Sequence, residues 1–380
     1  MDFELTPEQK DIQRAAREFA EGEFTDVAKE YDQKEEFPKE IWKKACELGF
    51  IGVFIKEEYG GGGLGFFEHA MITEEFWRVD PGCGQIVSVS FGSEVIQLFG
   101  TEEQKKKWLP PIPKGKAILG CAITEPDAGS DVSAISTSAV KDGNDYVING
   151  SKMFITNGTT ANYLVTVCLT DPKADRLKRH SMVITETDRK GYEATKIHGK
   201  MGIRASPTAE VVFKDVRVPQ SNLIGKEGNG FFQLMQFFDR TRLHVAAQGV
   251  GLAQGALEKA VTHVKQRKQF GQPIGKNQGI QFKIAECGTL IEAARGLYQK
   301  AAWKVDKGEI DPRLISMAKY YGGMVAVHVA DEALQMHGGY GYINEYDVER
   351  FYRDAKVIEI YEGTKEVEKM IIAREILGKF

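Results

Sequence analysis

Near the C-terminus, Ile360-Tyr361-Glu362-Gly363-Thr364 sets one carboxylate between apolar residues and a glycine. Apolar neighbours raise the cost of the charged form, which makes Glu362 a candidate desolvated general base. Gly363 has no side chain to keep a ligand from its backbone. The same residues also read as a helix entrance, with Thr364 capping a final helix from Lys365 to Leu377. Ahead of them lie a Gly-rich turn, His337-Gly338-Gly339-Tyr340-Gly341-Tyr342, and a charged cluster, Tyr352-Arg353-Asp354-Ala355-Lys356. Cys121-Ala122-Ile123-Thr124-Glu125-Pro126-Asp127-Ala128-Gly129-Ser130-Asp131 mixes hydroxyls with turn formers, and alone it reads as a β-turn. Asp239-Arg240-Thr241-Arg242 alone reads as a surface ion-pair ladder, and Arg267 as part of a solvated helix face with Lys265 and Lys268.

These segments need elements to hold them. Thr6-Pro7 opens a helical region in which Ile12, Ala15, Ala16 and Phe19 recur with helical spacing. Pro38 starts a second helix through Ile41, Trp42, Ala45 and Leu48, ended by Gly49. Glu102 to Leu109 is the last helix before Pro110, Pro111 and Pro113. Tyr146-Val147-Ile148-Asn149-Gly150-Ser151-Lys152-Met153-Phe154-Ile155 then predicts a hairpin turning at Asn-Gly. Leu164 to Leu169, Ser181 to Thr185, Ala209 to Phe213 and Val216 to Val218 add β-rich runs. Helical spacing returns over Phe231 to Val264, Gln278 to Val305, Arg313 to Met336 and Lys365 to Leu377. Helices, then strands, then helices, without βαβ alternation, argue against a Rossmann sheet.

With 380 residues and 42% hydrophobic content the chain can fill two or three packed units. Fifty basic against fifty-four acidic residues, with no block of one sign, give no nucleic-acid face. Met1 to Leu5 lacks a leader pattern and no stretch approaches ~20 apolar residues, so neither secretion nor membrane insertion is expected. Cys46, Cys83, Cys121, Cys168 and Cys287 are odd in number and widely spaced. That pattern predicts buried thiols, with neither a disulfide framework nor a metal site.

The Cys121–Asp131 segment, Arg267-Lys268-Gln269-Phe270-Gly271 with Gln278, and Gln335-Met336-His337-Gly338-Gly339-Tyr340-Gly341 with Arg353-Asp354-Ala355-Lys356 together resemble the motifs of the acyl-CoA dehydrogenase family. The likeness runs from Leu5 to the C-terminus. It implies an α+β fold: an N-terminal all-α domain (1–117), a middle β-barrel domain (118–228) and a C-terminal four-helix bundle (229–380). It also implies FAD in each subunit of a homotetramer, a dimer of dimers.

By resemblance, Glu362 is the catalytic base. Ile123 and Thr124 bond the flavin ring, Phe154, Ile155 and Thr156 pack on it, and Ser130 faces the CoA tail. Many relatives have tryptophan where Phe154 stands, which leaves cofactor binding intact. Arg267, Phe270 and Gln278 reach the FAD of a neighbouring subunit, and Gln335, Met336, His337, Gly338 and Gly339 its adenosine end. Cys121, Gly129, Thr364 and Glu366 complete the cofactor set. Asp239 lies near the CoA adenine, Arg242 supports the acyl end, and Gly363 lines the substrate site. The Glu362 N–H and an FAD ribityl hydroxyl bond the thioester oxygen, each such donor being typically worth ~3 kcal/mol. The β-hydrogen leaves as hydride to the flavin, and electrons pass to an electron-transfer flavoprotein.

The substrate implied is a short- or medium-chain, branched or alicyclic acyl-CoA. Threonine at 241 and glutamate at 362 match the short- and medium-chain arrangement of the base. Gly84 aligns with the arginine of glutaryl-specific members, which argues against a dicarboxylic substrate. Gly84 and Ser88 are expected to leave room in the floor of the acyl pocket. Alternatives are a flavin-binding but non-dehydrogenating relative, or an acyl-CoA oxidase-type enzyme, which is normally longer. The expected location is a bacterial cytoplasm, or the mitochondrial matrix of a eukaryote.

Overall fold

The computed structural model describes residues 4–378; residues 1–3, part of the Met1 to Leu5 stretch read for a leader pattern, and residues 379–380 lie outside it. Helices come first: α1 (Pro7–Phe24), α2 (Ala28–Lys34), α3 (Lys39–Glu47), α4 (Phe66–Val79), α5 (Pro81–Gly84), α6 (Ser93–Phe99) and α7 (Glu102–Trp108). The Thr6 hydroxyl accepts from the Gln9 N–H, and the Gln9 side chain accepts from the Thr6 N–H. Both halves of a capping box therefore fix the entrance that the sequence signals.

The strands follow: β1 (Leu119–Ala122), β2 (Ser138–Asp142), β3 (Asp145–Thr156), β4 (Tyr163–Leu169), β5 (His180–Glu186), β6 (Tyr192–Lys196), β7 (Thr208–Pro219) and β8 (Leu223–Ile224). They pair in the order β6-β7-β3-β2-β4-β5-β8, and β1 joins parallel to β4. The path has two ends, β6 and β8, and no ladder among the described residues joins them.

The hairpin expected at Asn149-Gly150 is not there. β3 runs straight through both residues, and the turn is Gly143-Asn144, between the paired Asp142 and Asp145. Gly143 has φ 60°, the glycine-first geometry of a type II′ turn. Gly150 instead marks a bulge against β7. A Cβ there would sit 2.6 Å from the Thr137 hydroxyl oxygen, so the glycine serves close approach.

The last part holds α8 (Gly230–Gln266), the short pair β9 (Lys268–Gln269) and β10 (Gln272–Pro273), α9 (Gln278–Asp306), α10 (Pro312–His337), α11 (Val348–Ala355) and α12 (Lys365–Leu377). α10 packs on α8, α9 and α12. Glycines set the closest crossings. A Cβ on Gly249 would sit 2.6 Å from the Gly322 carbonyl oxygen, and Cβ atoms on Gly251 and Gly255 would run into the Glu74 and Arg78 carbonyls of α4. The first seam brings Lys319, one turn before Gly322, level with the stretch of α8 that follows Arg242.

The charged cluster 352–356 turns out to join three parts of the chain. The Arg353 guanidinium donates to Asp32 (2.8 Å) and to the Met201 carbonyl (2.9 Å). The fully buried Asp354 accepts from the Ile203 N–H at 2.6 Å. Burial, and the nearby Asp80, push the Asp354 carboxyl up to about 7. All five cysteines are buried free thiols, and no helix among the described residues is long and apolar enough to cross a membrane. Gly255→Val forces α4 away from α8 and should cost ~3 kcal/mol or more. A clearly lowered thermal unfolding midpoint is the expected result.

Candidate active site

Between α11 and α12 the chain makes two successive left-handed residues, Glu362 (φ 55°) and Gly363 (φ 100°). For glutamate this backbone costs roughly 1–2 kcal/mol, so something must hold it. Four groups from α8, α10 and α12 do. The Thr241 hydroxyl donates to Glu362 Oε2 at 2.6 Å, and Arg242 Nε donates to the Glu362 carbonyl at 3.2 Å. The fully buried Lys319 ammonium donates to the Gly363 carbonyl. Arg242 Nε also lies 3.0 Å from Glu368 Oε1, in a charge contact without hydrogen-bond alignment. A Cβ on Gly363 would run into that same Glu368 oxygen, so only glycine fits.

The Glu362 side chain is partly buried, and burial pushes its carboxyl above the usual range. The Thr241 hydroxyl, Arg242 and Lys319 pull it back toward the charged form. Burial in turn pushes Lys319 down to about 8. The Glu362 N–H finds no acceptor among the described residues, which leaves one donor beside one base. Thr364, as read from the sequence, caps α12 by accepting from the Val367 N–H at 3.3 Å. Its hydroxyl is therefore already engaged, while Glu366 is exposed in the first turn.

The Ile123–Ser130 loop is locked from beneath by a pair that sequence reasoning missed. Lys152, fully buried on β3, donates to the Ile123 carbonyl and to Glu125 Oε1, each at 2.9 Å. Glu125 accepts further from the Ser136 and Thr137 N–H groups, both at 2.8 Å. Read as flanking an Asn-Gly turn, Lys152 gave no sign of facing inward. The Thr124 N–H and hydroxyl have no partner among the described residues, and Gly129 and Ser130 are exposed. Burial first, then the charges of Glu362 and Glu94, hold the Cys121 thiol well above its ordinary range.

Phe154 is 65% exposed with φ 61°, an apolar ring presented to the outside. Ile155, expected to pack on the same ligand, is 2% exposed and lies in the core, so only its backbone is available. Thr156 is half-buried on β3. Gly84 does not widen a pocket: a Cβ there would sit 2.9 Å from the Trp77 ring, because the glycine packs α5 against α4. Ser88 is buried, and its hydroxyl donates to Gln85 Oε1 at 2.7 Å. Asp239 and Arg242 are buried near the start of α8 and not a solvated ladder.

A second group of expected residues lies elsewhere. Arg267, Gln335, Met336, His337, Gly338 and Gly339 line a groove of about 560 Å³ together with His263 and Tyr340. The Arg267 guanidinium stands 5.1 Å over the Tyr340 ring, and His263 stacks on His337 at 4.3 Å. Nothing would meet a Cβ on Gly338 or Gly339, so their backbone is open. Phe270 (98% exposed) and Gln278 project from the same end. Thr241 and Arg267 are separated by roughly 39 Å along α8, so one subunit does not bring this groove to its own Glu362.

Models of the acyl-CoA dehydrogenase N-terminal, middle and C-terminal domains match residues 6–116, 120–216 and 228–377. The acryloyl-CoA reductase (NADH) of Anaerotignum propionicum is 44% identical over 100% of this chain and 97% of its own. The short-chain-specific acyl-CoA dehydrogenase of Clostridium acetobutylicum is 44% identical over 99% of this chain and 100% of its own. A chain in the solved structure described as the electron transferring flavoprotein of Acidaminococcus fermentans superposes with a TM-score of 0.97 over 100% of both chains, at 42% identity. Gly363→Ala meets both a positive φ and Glu368, and should cost ~2 kcal/mol or more. Denaturant unfolding is expected to show that loss.

Proposed function

This chain belongs to the acyl-CoA dehydrogenase family, FAD-dependent oxidoreductases acting on CH–CH donors, and we propose that Glu362 is the base that takes the α-proton of its acyl-CoA. The observation that carries this is the pairing of a carboxyl raised by burial with an unbonded N–H on the same residue. The thioester oxygen would accept from that N–H, so the charge released by proton removal falls on a donor already fixed. Such a donor is typically worth ~3 kcal/mol of barrier. Thr241 aims the carboxylate, while Arg242 and Lys319 hold the carbonyls of the left-handed turn. Ser130, Asp239 and Gly363 line the path we assign to the CoA thioester.

When bound, FAD supplies the acceptor for the β-hydride. The donor set fits it: Thr124 has unbonded donors, and Phe154 is an exposed ring beside them. Ile123, Gly129, the Ile155 backbone and Thr156 complete that wall, with Cys121, Thr364 and Glu366 nearby. Arg267, Phe270, Gln278 and the Gln335–Gly339 turn would hold the far end of a neighbouring subunit's cofactor. The length of α8 between the two groups supports this, and with it a homotetramer. We divide the chain at 1–117, 118–228 and 229–380.

α8 sets Gln248 seven residues, roughly 10 Å, beyond Thr241, which supports a short or medium acyl group, straight, branched or alicyclic. An electron-transfer flavoprotein as partner is supported by the Acidaminococcus match, and a cytoplasmic site goes with the bacterial relatives. The acryloyl-CoA reductase relative favours a second reading. In it the same residues run in reverse, and Glu362 delivers a proton to a 2-enoyl-CoA.

Anaerobic bleaching of the flavin by a panel of saturated acyl-CoAs tests the first reading, and oxidation of pre-reduced enzyme by 2-enoyl-CoAs tests the second. Glu362→Gln should keep FAD and lose both by more than a thousandfold; a variant that still bleaches removes Glu362 as the base. Because the base must be deprotonated, the rate rises with pH through its raised pKa. Thr241→Val deletes a bond that favours the charged form, so the acid limb of kcat/KM should move to higher pH.

A further inference from the structure

From Thr241, which aims the base, α8 carries a polar row on to residues that the reaction as described does not use. Thr241, His244 and Gln248 lie at i, i+3 and i+7, one face of the helix. At one end Thr241 bonds Glu362. At the other, Gln248 Oε1 accepts from the Tyr361 hydroxyl at 2.5 Å. Gln248 Nε2 donates to His244 Nε2 (2.9 Å) and to Gln85 Oε1 (3.2 Å). With His244 Nε2 accepting, its Nδ1 carries the proton and donates to Thr73 at 3.0 Å, and Thr73 donates to the His69 carbonyl at 2.8 Å. Every bond in this chain thus runs one way.

Gln85 closes it from the 85–90 segment. Its Oε1 takes two donors, from Ser88 and Gln248, which fixes the orientation of the carboxamide. Its Nε2 then holds two N–H donors with no partner among the described residues, on a side chain only 5% exposed. The nitrogen itself is not sealed off from solvent, so its N–H groups are open to an incoming acceptor. Gln248 bonds both Gln85 and Tyr361, the residue before Glu362, so the amide shares one polar cluster with the residue beside the proposed base.

We propose that Gln85 is a specificity residue whose free amide N–H binds a neutral hydrogen-bond acceptor, an ether, hydroxyl or carbonyl oxygen, in the distal part of the acyl group. This deepens the acyl-CoA reading and rests on it. A carboxylate is the wrong partner: Gln85, Ser88, Gln248 and Tyr361 carry no positive charge, and burial holds His69 down to about 4 and His244 well below its ordinary range.

The test is calorimetric binding to the FAD-loaded Glu362→Gln protein. Each ligand pair is a straight acyl-CoA and its isostere in which one distal methylene is an ether oxygen or a carbonyl. The oxygen-bearing member should bind about tenfold tighter, and Gln85→Met in the same background should abolish or invert that preference. Equal binding of both members, or preference for the hydrocarbon, overturns the proposal and assigns the amide to a buried water. The unsubstituted pair decides the matter even where Gln85→Met does not fold. Failure of every acyl-CoA either to bind or to bleach the Glu362-intact enzyme sinks the acyl-CoA reading itself.

Discussion

A carboxylate on a left-handed turn, held above three buried charges, is the constraint on which the rest depends. Removing Arg242, Lys319 and Glu368 from water costs several kcal/mol per ion, and none of them is repaid by solvent. The return is positional: two carbonyls and one carboxylate of a strained two-residue turn are held by donors on two rigid helices, Thr241 and Arg242 of α8 and Lys319 of α10. Buried ion pairs are weak contributors to stability, but they fix geometry where a loop would otherwise relax. The glycine seams follow from this need. α8 and α10 are in close backbone approach at Gly249 and Gly322, and Lys319, one turn earlier on α10, donates to the carbonyl of Gly363.

The same economy appears under the Ile123–Ser130 loop. Lys152 and Glu125 neutralise each other inside the sheet, and between them they occupy the Ile123 carbonyl and two backbone N–H groups. The groups left unbonded above, the Thr124 N–H and hydroxyl, are therefore free because the loop is rigid, not because it is loose. Exposed Phe154, at φ 61°, belongs to that arrangement: a strained residue that presents an apolar ring to the outside.

Much of this was legible in the chain. The caps, the long helical periods and the β-rich runs gave the order of elements, because each is a local signal in which a residue type acts on its own backbone. Glu362, Gly363 and the Gln335–Gly339 turn stood out for the same reason. Asn149-Gly150 misled because that dipeptide satisfies a hairpin turn and a bulge equally well, and the choice fell to the approach of Thr137 from β2's side of the sheet. α11 was hidden in a charged cluster, since Arg350 and Asp354 are buried only through partners far away in sequence. Gly84 read as spare room because its neighbour Trp77 lies on the adjoining helix α4.

By itself the sequence determined the fold class and the family and singled out Glu362 as the candidate base, all carried by local patterns or by motifs long enough to exclude chance. Tertiary structure alone decided which charges are buried against which carbonyls. It made Lys319 a support of the turn and Lys152 a support of the loop, and it left the Gln85 amide without a partner. The physical reason is that desolvation and hydrogen-bond satisfaction belong to no single residue. They arise only when helices distant in sequence close around the same few atoms.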